Sequence, residues 1–508
     1  MKYSIAIFLS LHFFAPITFA QVTFQKTFAI GTYAQANCIR QTGDGGYIIA
    51  GFGGDYPNHA ACLIRTDVNG DTLWTRTFGI GGTVFGASAE EASDGGFILC
   101  GKTGEFPPFD IFLVKVNANG NLLWSKTYDE GTYDWGNSVL QTSDGGYLVA
   151  GSVIPPGLTQ TAMTLIKTDS DGNVMWSNIY DANFEYFEVA WSVKQTSDGG
   201  FIIGGEAEGG ACLIKTDNFG NIEWTKYYST GVTTRFYEVQ QTSDGGYIGV
   251  GYFGGPTKLL IIKTNSQGDT LWVRIYGHGF SDVAYSVQQN ADHGYIVSGV
   301  TIDNGDADAC MIKTDSSGNI QWSKSYDLPL SLATAFSVRE TADGGYVFAG
   351  HTAPADYKIY FVKTDSNGNS FCNENTIEFL PMSHAVTVAS PVFSISSSLV
   401  DSTVDFLTGS GVVDSRYCSV ATLTQFAAGN DKQVSIFPNP FSLAATINFS
   451  GKEKYDLRMF DVFGTEVMRA ENISGSYVID RRNIPSGIYL YEVFSEKKKI
   501  QTGKAIAE

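Results

Sequence analysis

Along this chain short apolar runs alternate with clusters of Gly, Asp, Ser and Asn, a pattern that predicts strands joined by tight turns rather than helices. Residues 138–180 show the unit: SVLQT, SDGG, YLVAG, a variable loop, TLIKTD, SDGN and VMWSNIY. Four apolar runs bounded by turn residues predict a four-stranded meander. The unit recurs, with an Asp-x-Gly string at Asp44, Asp94, Asp144, Asp198, Asp244, Asp292 and Asp343, at steps of 46 to 54 residues. Trp follows in step at Trp74, Trp124, Trp176, Trp224, Trp272 and Trp322. A period of about 50 residues with four strands per copy is what a propeller blade requires, because radial closure removes exposed sheet edges.

The expected fold class is therefore all-β: a seven-bladed β-propeller of four-stranded blades over residues 21–372. In the last copy the Trp strand expected after Thr364-Asp365-Ser366-Asn367-Gly368-Asn369 is replaced by SFCNEN. Phe24-Gln25-Lys26-Thr27-Phe28 matches Trp74-Thr75-Arg76-Thr77-Phe78 without a blade of its own, so residues 22–28 are expected to supply the missing strand and close the ring. In the turns, Asp caps the backbone and Gly supplies positive φ, while the repeated Trp is expected to pack between blades. The string Thr168-Asp169-Ser170-Asp171-Gly172-Asn173-Val174-Met175-Trp176 resembles the Trp-docking repeats of quinoprotein-like propellers, in the scaffold only. Nothing matches a quinone site, and no cofactor is carried over.

Residues 373–430 read as a β connector rich in Ser and Thr, and residues 431–508 as a separate domain. There Ile436-Phe437-Pro438-Asn439-Pro440, Tyr455-Asp456-Leu457-Arg458-Met459-Phe460-Asp461-Val462-Phe463-Gly464 and Ile484-Pro485-Ser486-Gly487-Ile488-Tyr489 follow at β-sandwich spacing, with Lys504 near the end. This tail resembles the C-terminal sorting domain of the type IX secretion system of Bacteroidetes. The resemblance implies an immunoglobulin-like sandwich, recognised by that machinery at the outer membrane and cleaved, the passenger ending secreted or attached to the outer cell surface. The repeats also resemble a group of exported Bacteroidetes proteins without assigned activity.

Met1 to Ala20 fits this address: a basic Lys2, the apolar IAIFLSLHFF and ITFA before Gln21 form a cleavable signal peptide. No other segment approaches the length of a spanning helix. The net charge is −19, and because the chain from Asn430 onward holds 11 Lys and Arg against 10 Asp and Glu, residues 1–429 carry −20. Such a surface argues against nucleic acid as a partner. Of seven cysteines, Cys38, Cys62, Cys100, Cys212 and Cys310 fall at repeat positions that elsewhere hold small or apolar residues, and read as buried thiols. Cys372 and Cys418 flank the segment after the last repeat and form the candidate disulfide.

Catalytic patterns are absent from the sequence. Gly96-Phe97-Ile98-Leu99-Cys100-Gly101-Lys102-Thr103 fits a nucleotide loop, but it lies in register with the strand Gly46-Tyr47-Ile48-Ile49-Ala50-Gly51, where no helix follows. The six histidines share no metal spacing, and Glu185 and Glu188 sit in a loop without a partner. Asp303, Asp306 and Asp308 crowd one loop with the oxygen ligands calcium takes, short of a complete calcium loop; no other cofactor is expected. In an up-down blade the two conserved-looking turns share one face and the variable loops share the other. That loop face carries Tyr133, Trp135, Tyr186, Phe187 and Phe280, the candidate ligand-binding residues. The expected function is a non-enzymatic binding or adhesion protein for a glycan, a peptide or another surface protein. The alternatives are an exported polysaccharide hydrolase or lyase and a purely structural surface module.

Overall fold

The structure is a computed structural model, described over residues 21–507 except residues 81, 105–107, 183–186, 304, 328–330, 354–356 and 383 and several short stretches between 392 and 497, the longest being 423–433. Met1–Ala20 thus lies outside the described residues. The chain divides into two compact units, Val22–Val420 and one that includes Ala421–Glu508.

The larger unit holds seven five-stranded antiparallel sheets. Each repeat contributes its strands in sequence order, and the first strands form a ring: Tyr33–Gln41, Thr83–Glu91, Trp135–Gln141, Val189–Gln195, Thr234–Gln241, Ser281–Gln289 and Leu332–Glu340. Each touches the next, and the seventh touches the first. Closure uses the N-terminal strand Gln21–Ala29, which pairs with Lys358–Thr364 from Phe24 opposite Lys363 to Phe28 opposite Ile359. Phe24 and Phe28 enter one core with Ile39, Tyr47, Ile359 and Phe361, so the two chain ends of the ring share a hydrophobic cluster.

Six repeats supply four strands per sheet as the meander pattern implies, and the seventh supplies three beside the N-terminal strand; the fifth strand of every sheet comes from the segment read as a connector. Short strands between Glu374 and Thr422 visit the sheets of repeats six, five, four, three, two and one in turn, then the seventh. Each pairs beside the last strand of its sheet, whose free backbone groups would otherwise face solvent. This belt is fastened where it is best described: Phe379 is buried, the Ser323 hydroxyl donates to the Ile377 carbonyl at 2.6 Å, and the His278 and His384 rings reach the Glu378 and Thr230 carbonyls at 2.8 Å.

Repetition of sequence becomes repetition of bonds. Each turn aspartate accepts the amide two residues on, as Asp44 does from Gly46 at 3.1 Å. It also pairs with a buried cation of the third strand: Arg65, Lys115, Lys167, Lys215, Lys263, Lys313 or Lys363, at 2.5 to 3.0 Å. The turn amide of each repeat donates to a Gln or Glu of the next, from Gly43 to Glu91 through Ala291 to Glu340, and Ala342 of the seventh repeat donates to Gln41 of the first at 2.8 Å. The Trp rings lie edge-on or tilted against an aromatic of the following repeat at 5.7 to 6.3 Å. Gly120, at φ 75°, has no room for a side chain, since a Cβ there would stand 2.9 Å from the Trp74 ring.

In every first strand one residue bulges out of register, opposite a glycine of the second strand. At Gly151 a Cβ would sit 1.7 Å from the Trp135 carbonyl oxygen, so only glycine admits the bulge.

In the smaller unit a three-stranded sheet (Val434–Phe437, Ala444–Phe449, Ser476–Asp480) and a four-stranded one (Glu466–Ile473, Tyr455–Phe460, Gly487–Ser495, Lys498–Ala507) bury a common core that includes Ile447, Leu457, Met459, Ile479 and Val493. Cys38, Cys62, Cys100, Cys212 and Cys310 are buried and free, whereas Cys372 is disulfide-bonded.

Candidate functional site

The bulged residues of the seven first strands are Asn37, Ala87, Asn137, Trp191, Tyr237, Tyr285 and Phe336. A bulge re-aims a side chain out of the pleat, and all seven line one cavity, partly open to solvent, inside the ring of first strands. The amide members fasten to the scaffold, Asn37 donating to the Gly86 carbonyl and Asn137 to the Ala190 carbonyl. The four aromatic members touch in sequence, with ring centroids 5.4, 4.9 and 4.7 Å apart.

From Phe336 the run of rings continues through His351, Tyr357, Tyr33 and Phe52 to Phe85 without a step above 6.1 Å. Beyond Phe85 stands Lys102, its amine 4.9 Å from the Phe85 and Phe109 rings and 3.5 Å from the Trp135 ring. Burial among these rings pulls the Lys102 amine down to about 8. At the other end of the arc Arg235 lies over Trp191, Tyr237 and Tyr252, held by Glu206. The indole nitrogens of Trp135 and Trp191 are buried with no hydrogen-bond partner among the described residues.

On the turn side of the bulges the chemistry changes to charge. Arg40, Lys194, Glu238 and Arg339 join the lining. Glu238 takes Arg339 at 2.7 Å and Lys194 at 3.4 Å. Despite burial, Arg339, Lys194 and Arg40 hold its carboxyl well below the usual range. Glu90 shares this field, but burial raises its carboxyl against the pull of Arg40 and Lys194. Glu238 also accepts the Val287 amide at 3.0 Å, the bond that Ser138, Ser192, Ser286 and Ser337 make to the repeat after their own.

Of the residues chosen from sequence, Trp135 joins the arc, and Tyr133 sits behind it against Phe109 at 5.7 Å. Phe187 and Phe280 stand on loops, 61% and 69% exposed, and Tyr186 lies outside the described residues, as does Glu185. Glu188 is buried and accepts the Ala182 amide with both oxygens, so it staples its loop; burial pushes its carboxyl to about 8. Asp134 holds the equivalent loop through the Glu130 and Gly131 amides. The nucleotide-loop string forms the strand Phe97–Gly104.

Asp306 and Asp308 come together with Asp327, which the sequence reading passed over, and Asp303 is not of that group. A second group unites Asp110, Asp129 and Asp134. Each offers three carboxylates, about half of the six to eight oxygens calcium takes.

The cavity residues missed from sequence were visible in alignment of the repeats. The bulged residue stands seven positions before the turn aspartate in every copy, and Arg40, Glu90, Lys194 and Arg339 stand four before it.

Residues 435–508 match the family described as the secretion system C-terminal sorting domain. No curated protein matches the chain. Among solved structures it is similar to Sqt1 of Chaetomium thermophilum, at 13% identity over 65% of this chain and 83% of that one, TM-score 0.40. It is also similar to PorZ, a surface component of the type IX secretion system of Porphyromonas gingivalis, at 9% identity over 95% and 75%, TM-score 0.39. A fungal alcohol oxidase of the AA5 family gives 11% over 96% and 99%, TM-score 0.36. At these scores none bears on activity. The sorting domain does fix the address: the chain is exported through the type IX secretion system, to the cell surface or beyond it.

Proposed function

We propose that the seven sheets are the blades of a seven-bladed propeller, that the smaller unit is an immunoglobulin-like sandwich, and that the exported protein is a binding protein whose ligand enters the channel mouth. The ligand class is a glycan. The observation that carries this reading is the run of rings from Trp191 to Phe85, beyond which Lys102 bridges to Trp135, the indole nitrogens of Trp191 and Trp135 having no partner among the described residues. Sugar rings present flat apolar faces to aromatic side chains and hydroxyl acceptors to donors at their edge, and rings on rigid strands lose little entropy on binding. Glu238, committed to two cations and an amide, is poorly placed to act as an acid or base. We further take Cys418, carried by the strand Val413–Thr422, as the partner of Cys372, clasping the belt where it ends.

A glycan array probed with the full chain and its Trp191→Ala and Trp135→Ala variants tests the reading. A glycan class retained by the native protein and weakened about tenfold or more by either substitution supports it, since a buried aromatic anchor contributes about 2 kcal/mol or more. Binding indifferent to both would refute it. Shortened products from a bound oligosaccharide would instead establish the hydrolase or lyase reading.

A further inference from the structure

The cavity beside the aromatic arc is lined by charge. The chain carries a net charge of −19, yet three cations, Arg40, Lys194 and Arg339, converge here around two carboxylates, Glu238 and Glu90. Glu238 is shared between Arg339 and Lys194. Arg40 donates to the Ile39 carbonyl at 2.8 Å and bonds the neighbouring Cys38, which leaves part of its five donors unspent. A guanidinium held inside a channel with an excess positive charge and donors to spare is an anion receptor, because desolvation strengthens its attraction for a planar oxyanion. Position supports this. The repeats place Leu140, Gln240 and Gln288 where Arg40, Lys194 and Arg339 stand, and the Gln240 and Gln288 side chains accept the Gln289 and Glu340 amides of neighbouring strands. The cations are departures from a scaffold role that amides fill elsewhere.

We infer that the charged, turn-side part of the cavity binds the anionic group, a carboxylate or sulfate, of an acidic glycan whose sugar rings stack on the adjoining arc, with Arg40 and Lys194 as its ligands. The inference rests on the glycan reading, and Arg40, Lys194, Glu238 and Arg339 all line the same cavity.

The test compares three probes on the full chain by calorimetry: a uronate-containing tetrasaccharide, the same tetrasaccharide with its carboxyls reduced to alcohols, and inorganic sulfate alone. The expected result is that the acidic sugar binds about tenfold or more tighter than the reduced one at low salt, as a charge-assisted pair predicts. Sulfate should compete with it, and the preference should vanish in Arg40→Gln while Arg40→Lys retains part of it. Thermal unfolding of each variant separates lost binding from lost folding, and Arg40→Lys, which keeps the charge beside Glu238 and Glu90, is the control that should stay folded. Equal affinity for both tetrasaccharides would overturn the anion site and leave the glycan reading standing. Binding of sulfate, abolished by Arg40→Gln, with neither sugar bound, would uphold the anion site and remove the glycan reading. Binding of none of the three would overturn both.

Discussion

Glu238 occupies the position that holds Ser or Cys in the other six repeats, and it does the work of that serine while also neutralising Arg339 and Lys194. Removing one partner of a buried charged set leaves the others uncompensated, which typically costs about 3–5 kcal/mol. Glu238→Gln, which keeps the size and an acceptor for the Val287 amide, should therefore lower the urea midpoint by an amount of that order; an unchanged midpoint would mean that water or a bound anion compensates the cations. At Gly151 the argument is steric. Alanine there collides with the Trp135 carbonyl, so Gly151→Ala should destabilise by about 1–3 kcal/mol and displace Trp135. This scale was the least legible in the sequence. Trp135 was found because aromatic residues on loops attract notice, whereas Trp191, Tyr237, Tyr285 and Phe336 read as ordinary apolar members of a strand. Only the bulge, a backbone feature that hydrophobic alternation does not report, turns them into the channel.

Turns, pairs and docking rings belong to the scale of the element, and here pH is the informative variable. In Asp94, Asp144, Asp198, Asp244, Asp292 and Asp343 burial pulls the carboxyl upward, but hydrogen bonds and the paired cation outweigh it; Asp44 is lowered chiefly by Thr42. Asp244 is held to about 2. A folded-state pKa below the unfolded one gives stability that is present above the unfolded value and lost as pH falls through the folded one, so these turns should fail together between about pH 4 and pH 2. Glu130 and Asp134, raised to about 7, and Glu188, raised to about 8, act in the opposite sense: burial favours their protonated forms, and the stability this confers is lost as pH rises from their unfolded values toward 7 or 8. His351, lowered to about 4 by burial, offsets part of that loss over about pH 4 to 6.5. The melting temperature should thus peak near pH 4–5, and Glu188→Gln should flatten the decline above it. The turns themselves were readable as Asp-Gly strings, and their spacing placed every one. The buried Lys or Arg partners were not, because a lysine in an apolar run reads as a strand's exposed face.

For the molecule as a whole, closure depends on residues far apart in the chain. Deleting residues 21–29 removes a full strand of the seventh sheet together with Phe24 and Phe28, and should leave a protein that unfolds in more than one step, against a single step for the intact ring. Truncation before Val434 should leave the protein inside the cell envelope rather than outside, measured by fractionation, since the sorting domain is what the export machinery reads. Cys372→Ser should lower stability by about 2–4 kcal/mol under oxidising conditions and change little in reductant. The ring and its closing strand could be expected from Phe24-Gln25-Lys26-Thr27-Phe28 alone, because that string repeats a pattern found elsewhere in the chain. The belt could not. Its strands are mostly three or four residues long and match no repeat, so they are specified by the sheet edges that receive them and carry little pattern of their own.

The belt also imposes an order of events. Its seven strands can be laid down only on sheets that already exist, and they are encoded after all of them, immediately before the export tag. A chain cut short within this segment would present uncovered edges, the surfaces through which β proteins aggregate. A molecule that ends before this segment would therefore lack both the sheath of its sheet edges and the sorting domain that follows it.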